Sequence, residues 1–257
     1  MKTKKRLVVA NWKMNPAGAE EAKRIAQSIK RSGSKLKNTE VVIAPSFIHL
    51  SLGSKILDRS RKVFLGAQNV NEKEVGAYTG EVGTAQIKDL KVKFVLVGHS
   101  ERRAKGETNE LVNTKMRALL AQGFTPILCF GEKERDIEGG YFQFVRKQLL
   151  ESLRDIQKKD LLGVVLAYEP VWAIGKSFRE SMTATDMHEM SLFIRKVLID
   201  SFGEDYSNLP LLYGGSVEVE NVEDLMKKGR INGLLVGHES LIPEDFRKIL
   251  KIVDASK

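Results

Sequence analysis

Gly163-Val164-Val165-Leu166-Ala167-Tyr168-Glu169-Pro170-Val171-Trp172-Ala173-Ile174-Gly175 is the stretch on which the reading of this chain turns. Gly163 to Ala167 is an apolar, glycine-bounded run of the length of a buried strand. A carboxylate, Glu169, stands at its carboxyl end, and Pro170 biases Glu169 away from helix. Val171, Trp172, Ala173 and Ile174 then follow neither a strand nor a helix period. Four apolar residues suit a lid that closes over a pocket and excludes water. Pro170 to Ile174 therefore reads as a lid, and Glu169 as a general base beside it. The duller reading is an acidic residue that ends a strand, followed by a loop packed on a neighbour.

Seven more apolar runs surround this one. The expected strands are Leu7–Ala10, Val41–Ala44, Val63–Leu65, Phe94–Val97, Pro126–Cys129, Gly163–Ala167, Leu211–Tyr213 and Gly233–Val236. Amphipathic patterns alternate with them at Ala17–Arg31, Glu110–Gln122, Phe142–Ile156, Thr185–Phe202, Val222–Lys228 and Phe246–Val253. Short helices are expected at Leu50–Leu57 and Ala85–Leu90. Eight strands alternating with helices, without a linker or an internal repeat, predict a closed (βα)8 barrel of eight parallel strands. It forms one catalytic domain over residues 1–257. An open doubly wound sheet lacks its signature, because Asn11-Trp12-Lys13 stands where a glycine-rich turn would follow the first strand.

Composition narrows the classes. At 257 residues with 42% hydrophobic side chains, the chain can bury a large core without staples. The lone cysteine, Cys129, forms no internal disulfide, which suits a reducing cytosol. Met1 to Arg6 is basic, but the apolar run behind it is too short for a signal peptide. No apolar run reaches membrane-spanning length. A soluble, cytoplasmic protein is expected. The net charge of +9 suits an anionic small substrate. Nucleic acid is the minor reading, since the basic residues are spread over every helix and are not combined with stacking aromatics. The four histidines, His49, His99, His188 and His238, show no metal-ligand spacing, so no metal is expected.

In a barrel, chemistry gathers at the carboxyl ends of strands. Asn11 and Lys13 follow the first strand, His99 the fourth, Glu169 the sixth, Gly214-Gly215-Ser216 the seventh and Gly237-His238 the eighth. A base, an imidazole, an amide and an ammonium on one rim suit proton transfer beside a carbonyl. Glu169 would take a proton from carbon. His99 would polarise the oxygen, while Lys13 and Asn11 stabilise the charge that develops. The glycines after the last two strands let backbone N–H groups approach an anion. Each residue also has a plainer role: Lys13 as a solvated lysine, His99 as a cap for Ser100–Arg103, Asn11 as a turn residue. Glu101 reads as an ion-pair partner for Lys13 or an arginine, and Cys129 as buried and inert.

Together, Asn11-Trp12-Lys13-Met14-Asn15, Gly66-Ala67-Gln68-Asn69, Gly76 to Glu81, Gly98 to Arg103, Cys129-Phe130-Gly131-Glu132, Ala167 to Gly175 and Tyr213 to Val217 resemble the triosephosphate isomerase family in content and order. The resemblance covers nearly the whole chain. It implies interconversion of dihydroxyacetone phosphate and D-glyceraldehyde 3-phosphate through an enediol(ate), a step of glycolysis and gluconeogenesis, without metal or cofactor. It implies Glu169 as base, His99 as a neutral electrophile, and Asn11 and Lys13 as substrate contacts; the glutamate–histidine assignment belongs to the family and is a standard worked case. It further implies Gly175, Ser216 and Gly237 as phosphate ligands, and Tyr213 as a latch for the closed lid. A homodimer follows as well, with Gln68 to Glu81 inserted into the neighbour and Thr79 reaching its active site.

The chain departs from the family at the phosphate end. Lys176 to Met182 separate Gly175 from Thr183-Ala184, so the lid is about four residues longer than usual. Either its hinge moves or the extra residues bulge into solvent. Gly237-His238-Glu239-Ser240 stands where the family usually has a second glycine, and a left-handed backbone at His238 would cost roughly 1–2 kcal/mol. His238, when protonated, would pair with phosphate, and Glu239 would oppose it. The expectation is retained activity with weakened or pH-sensitive phosphate binding. The alternative is a non-catalytic or weakly active barrel relative whose altered phosphate site serves another anionic partner.

Overall fold

The computed structural model describes residues 6–177 and 179–256. The basic Met1–Lys5 and Phe178 of the longer lid lie outside the described residues. Eight parallel strands close into a barrel in chain order: β1 (Arg6–Asn11), β2 (Thr39–Ala44), β3 (Val63–Ala67), β4 (Phe94–Val97), β5 (Thr125–Phe130), β6 (Val165–Tyr168), β7 (Leu211–Tyr213) and β8 (Gly233–Val236). Closure comes from β8 pairing with β1, Leu7 opposite Gly233 through Ala10 opposite Val236. The helices are α1 (Ala19–Gly33), α2 (Leu50–Leu57), α3 (Thr84–Asp89), α4 (Ser100–Arg103), α5 (Asn109–Ala121), α6 (Gly140–Ser152), α7 (Lys158–Leu161), α8 (Ala184–Phe202), α9 (Val219–Lys228) and α10 (Pro243–Ala255).

The period-2 alternation of strands splits the core in two. Leu7, Val9, Phe94, Leu96, Val165, Ala167, Leu212 and Leu235 fill the barrel interior. Val8, Ala10, Leu166 and Leu234 face outward and pack beneath the helices, with Ile25, Met116, Leu149, Ile194 and Phe246. The same parity positions the site. Continuing Leu7, Val9 gives Asn11, and continuing Val165, Ala167 gives Glu169. Leu212 leads to Gly214, and Leu235 to Gly237. Parity alone would not serve His99; Gly98, at φ +74, turns the chain after β4 and brings that ring to the barrel mouth.

Several boundaries differ from the sequence expectation, each for a local reason. β6 begins at Val165 and not Gly163, because the N–H groups of Gly163 and Val164 close the unforeseen turn α7, bonding the carbonyls of Asp160 and Leu161 at 2.9 and 3.0 Å. It runs on through Tyr168, which pairs with Phe130 and Tyr213. α6 stops at Ser152, short of Ile156. Asp155 is left-handed at φ +58, and the buried Asn113 amide donates to the Ser152 and Arg154 carbonyls. α9 starts three residues early, at Val219, where the Asn221 side chain accepts the Glu218 N–H at 3.0 Å. α10 starts at Pro243, whose fixed φ suits a first helical turn. α1 begins after Gly18, whose carbonyl accepts the Ala22 N–H, and leaves Ala17 outside.

Candidate active site

A cavity of about 410 Å³ opens at the carboxyl ends of the strands. It is lined by every residue expected to touch substrate: Asn11, Lys13, His99, Glu169, Gly175, Ser216, Gly237 and His238. Ile174, from the end of the lid, also borders it. Asn11, His99 and Glu169 are buried, with Glu169 only 1% exposed.

Glu169 is held from both sides. Its backbone N–H donates to the Phe130 carbonyl at 2.8 Å. One carboxylate oxygen lies 3.1 Å from His99 Nε2, and the other accepts the Ser100 N–H at 3.2 Å. Two glycines make room for it: a Cβ on Gly214 would sit 2.9 Å from Glu169 Cγ, and one on Gly131 would collide with the Glu169 carbonyl. At the His99 ring, Nδ1 accepts the Glu101 N–H from the first turn of α4 at 3.2 Å. A nitrogen that accepts carries no proton, so the neutral ring bears its hydrogen on Nε2, facing the cavity. Burial opposes charging of His99, but the Glu169 carboxylate, helped by Glu101, outweighs it and raises the pKa.

Lys13 adopts a left-handed backbone, φ +54, which costs a non-glycine residue roughly 1–2 kcal/mol. Three contacts hold it there. Its N–H donates to Asn11 Oδ1 at 3.1 Å, its carbonyl accepts the Gln68 amide at 2.8 Å, and Nζ meets Glu101 at 2.7 Å. Glu101 is thus the ion-pair partner of Lys13.

The lid begins on a buried carboxylate that sequence reasoning placed in a motif without giving it a role. Glu132, 1% exposed, accepts the Tyr168 hydroxyl on both oxygens at 2.8 Å and the Trp172 indole N–H at 2.9 Å. Arg135 donates to it at 3.0 Å and stacks over the Trp172 and Tyr141 rings. Burial, reinforced by Glu132, pushes the Tyr168 phenol well up. Pro170 and Ala173 are buried, Val171 to Ala173 form a 3-10 turn, and the Ser216 hydroxyl lies 2.9 Å from the Ala173 carbonyl and 2.7 Å from that of Lys176. Tyr213 is buried beneath this loop; burial pushes its phenol up to about 12, with the Ser181 hydroxyl pulling the other way. The longer stretch after Gly175 divides: Ser181 and Met182 turn inward and are buried. Lys176, Ser177, Arg179 and Glu180 are exposed, and a turn joins Ser177 to Glu180 before Thr183 and Asp186 cap α8.

At the phosphate end, Gly237 lies beside Lys13, and His238 is exposed on the cavity rim. His238 does not have a positive φ, so the backbone cost foreseen for a non-glycine residue does not arise. Glu239 is its neighbour; burial raises that carboxyl, Asp245 adds to the effect and His238 opposes it. Among the other histidines, His49 is buried with Nε2 2.9 Å from the Pro16 carbonyl, and His188 Nδ1 lies 2.8 Å from the Lys228 carbonyl. Cys129 is free and buried, and burial raises its thiol far up. Among the described residues, no group of three or more His, Cys, Asp or Glu is arranged to hold a metal ion.

A barrel with a carboxylate, a tautomer-fixed imidazole and a lysine at one rim, beneath an apolar lid, defines an enzyme of the proton-transferring isomerase class. The triosephosphate isomerase family model matches residues 6–253. Triosephosphate isomerase of Thermoanaerobacter sp. (strain X514) is 39% identical over 95% of this chain and 98% of its own length. Those of Endomicrobium trichonymphae and Fusobacterium nucleatum subsp. nucleatum are 40% and 41% identical over 96% of this chain and 98% of theirs. The chain belongs to the triosephosphate isomerase family.

Proposed function

We propose that this barrel interconverts dihydroxyacetone phosphate and D-glyceraldehyde 3-phosphate, with Glu169 as the base. The pairing of Glu169 with His99 at 3.1 Å, in a cavity that Asn11 and Lys13 also line, carries the reading. Substrate displaces Glu169 from its contacts with His99 and Ser100. The carboxylate takes a proton from the carbon next to the carbonyl, and the bond's electrons move onto oxygen. The Nε2–H of His99, Lys13 Nζ and the Asn11 amide meet that oxygen as its charge grows. The neighbouring hydroxyl's proton passes by way of His99 to the oxygen that took up the charge, the carbonyl re-forms on that neighbouring oxygen, and Glu169 returns its proton to the adjacent carbon, giving the isomeric triose. Backbone N–H groups at Gly175, Ser216 and Gly237 hold the phosphate, and the His238 ring borders them on the cavity rim. Pro170 to Ile174 shield the enediolate, which in water would expel its phosphate; Tyr213 steadies the closed lid.

The protein works as a homodimer in the cytoplasm. Support for the dimer comes from the loops after three adjacent strands: Met14 is 93% exposed, Ile48 78% and Val75 73%, with Phe47 and Tyr78 beside them in sequence order. Apolar surface on neighbouring loops marks an interface, and the exposed Thr79 extends from it toward the partner's site. The cytoplasmic assignment rests on the single buried thiol and on the lack, among the described residues, of any helix long and apolar enough to cross a membrane.

The test is isomerase turnover on glyceraldehyde 3-phosphate beside Glu169→Asp. Removing one methylene retracts the carboxylate from carbon, and a misplacement of about 1 Å costs on the order of 100-fold in rate. Turnover that survives the substitution unchanged removes Glu169 from the role. No turnover in the folded, unmodified protein overturns the isomerase reading.

A further inference from the structure

A second, open cleft lies at the other end of the barrel. It measures about 1710 Å³ and runs between the C-terminal half of α1 and α10, across the segments that lead into β1, β2 and β8. Arg6, Arg31, Lys35, Lys37, Arg247 and Lys251 line it, against two carboxylates, Glu244 and Asp254. Both carboxylates are already engaged. Glu244 pairs with Arg247 at 2.8 Å, and Asp254 accepts the backbone N–H groups of Lys37 and Asn38 at 2.9 and 2.7 Å. Among the described residues, the side chains of Arg6, Arg31, Lys35, Lys37 and Lys251 pair with no carboxylate. In sequence, Lys2, Lys4 and Lys5 directly precede Arg6.

The chemistry at the opposite rim has no use for these charges. Nor do they serve stability, because like charges gathered in a concave surface repel one another and focus a positive potential. We propose that this cleft binds a chain of phosphates, as in inorganic polyphosphate. Three of the six cations are arginines, whose planar forks match phosphate oxygens, and the Ser28 and Ser32 hydroxyls add donors on the α1 wall. A single phosphate carries too little charge to neutralise these six cations. Nucleic acid fits less well: no aromatic side chain lines the cleft, so unpaired bases have nothing to stack on.

The experiment is a calorimetric titration of the whole protein with inorganic polyphosphate at several salt concentrations. An oligonucleotide of equal charge is titrated in parallel. Arg31→Glu/Lys251→Glu changes one residue on each wall, and Lys35→Glu provides a second variant should the double one fail to fold. Expected are saturable binding to the unmodified protein and unchanged kcat/KM for the triose in the variants. The variants should bind at least about tenfold more weakly, with a salt slope shallower by about 0.7 for each phosphate they no longer neutralise. Absence of saturable binding, equal binding by the folded variants, or tighter binding of the oligonucleotide would each overturn the proposal.

Discussion

The two ends of the cavity are built to different tolerances. At the base end, Glu169 and His99 are buried, each meets two or more fixed partners, and the backbone at Gly131 and Gly214 packs close against the Glu169 main chain and side chain. At the phosphate end, Gly175, Lys176 and His238 are exposed, and Ser177, Arg179 and Glu180 of the longer lid face solvent. Proton transfer to carbon needs sub-ångström placement. An anion held by several N–H groups tolerates drift, because charge–dipole attraction falls off gently with distance. A chain can therefore lengthen its lid tip and replace a glycine with His238 at one end, while no comparable change would be harmless at the other.

Gly131 gives the sharpest way to break this contrast after Glu169→Asp. A Cβ at Gly131 would run into the backbone carbonyl of Glu169, which a flexible side chain cannot relieve. The strand end carrying the base must move. Gly131→Ala is expected to leave a folded barrel destabilised by about 1–3 kcal/mol and to lower kcat by roughly 100-fold, read by steady-state kinetics beside a thermal melt. A variant that melts lower yet turns over normally would show that the base end is looser than its contacts suggest.

A medium effect concerns His99. Its pKa is raised although burial works against it, and the Glu169 carboxylate is the leading reason. In Glu169→Gln that influence is gone while burial remains, so the His99 pKa falls; NMR titration of the ring reads it directly. A pKa raised in the folded state means the ion pair stabilises the fold fully below the unfolded-state pKa, and the contribution is lost as pH rises through the folded-state value. Stability of the unmodified protein should therefore decline across that window relative to Glu169→Gln. An unchanged His99 titration in the variant would mean that Glu101 or the α4 turn, and not Glu169, sets the charge on the ring.

Most of this arrangement is readable in the chain because short strands impose strict parity. Once Val165 and Ala167 are inward, Glu169 must be, and the same counting places Asn11, Gly214 and Gly237. What resists reading is contact between segments remote in sequence. Glu132 stands 40 residues from Trp172, and nothing in its motif says that one carboxylate collects a phenol, an indole and a guanidinium. Gln68 lies 55 residues from the carbonyl of Lys13 that it holds. The basic cleft is harder still: its walls come from both ends of the chain, and its cations look like ordinary solvated lysines and arginines until α1 and α10 pack together. α7 is not legible in the sequence because a single helical turn has no period to detect.

The smallest expected effect sharpens the comparison from the tolerant end. His238 lies on the rim of the cavity, free of left-handed strain, and Glu239 is adjacent. From the rim the His238 ring can donate to a phosphate oxygen, and the Glu239 carboxylate beside it would offset part of that gain. Exposed ion pairs contribute little, so His238→Gly should change KM by at most about fivefold. The direction is the informative part: the variant should lose affinity and leave kcat untouched. A change in kcat would tie His238 to the rigid end of the site, through Lys13 beside Gly237. A KM identical to that of the unmodified protein would make His238 a bystander, and the phosphate would then be held by backbone N–H groups alone.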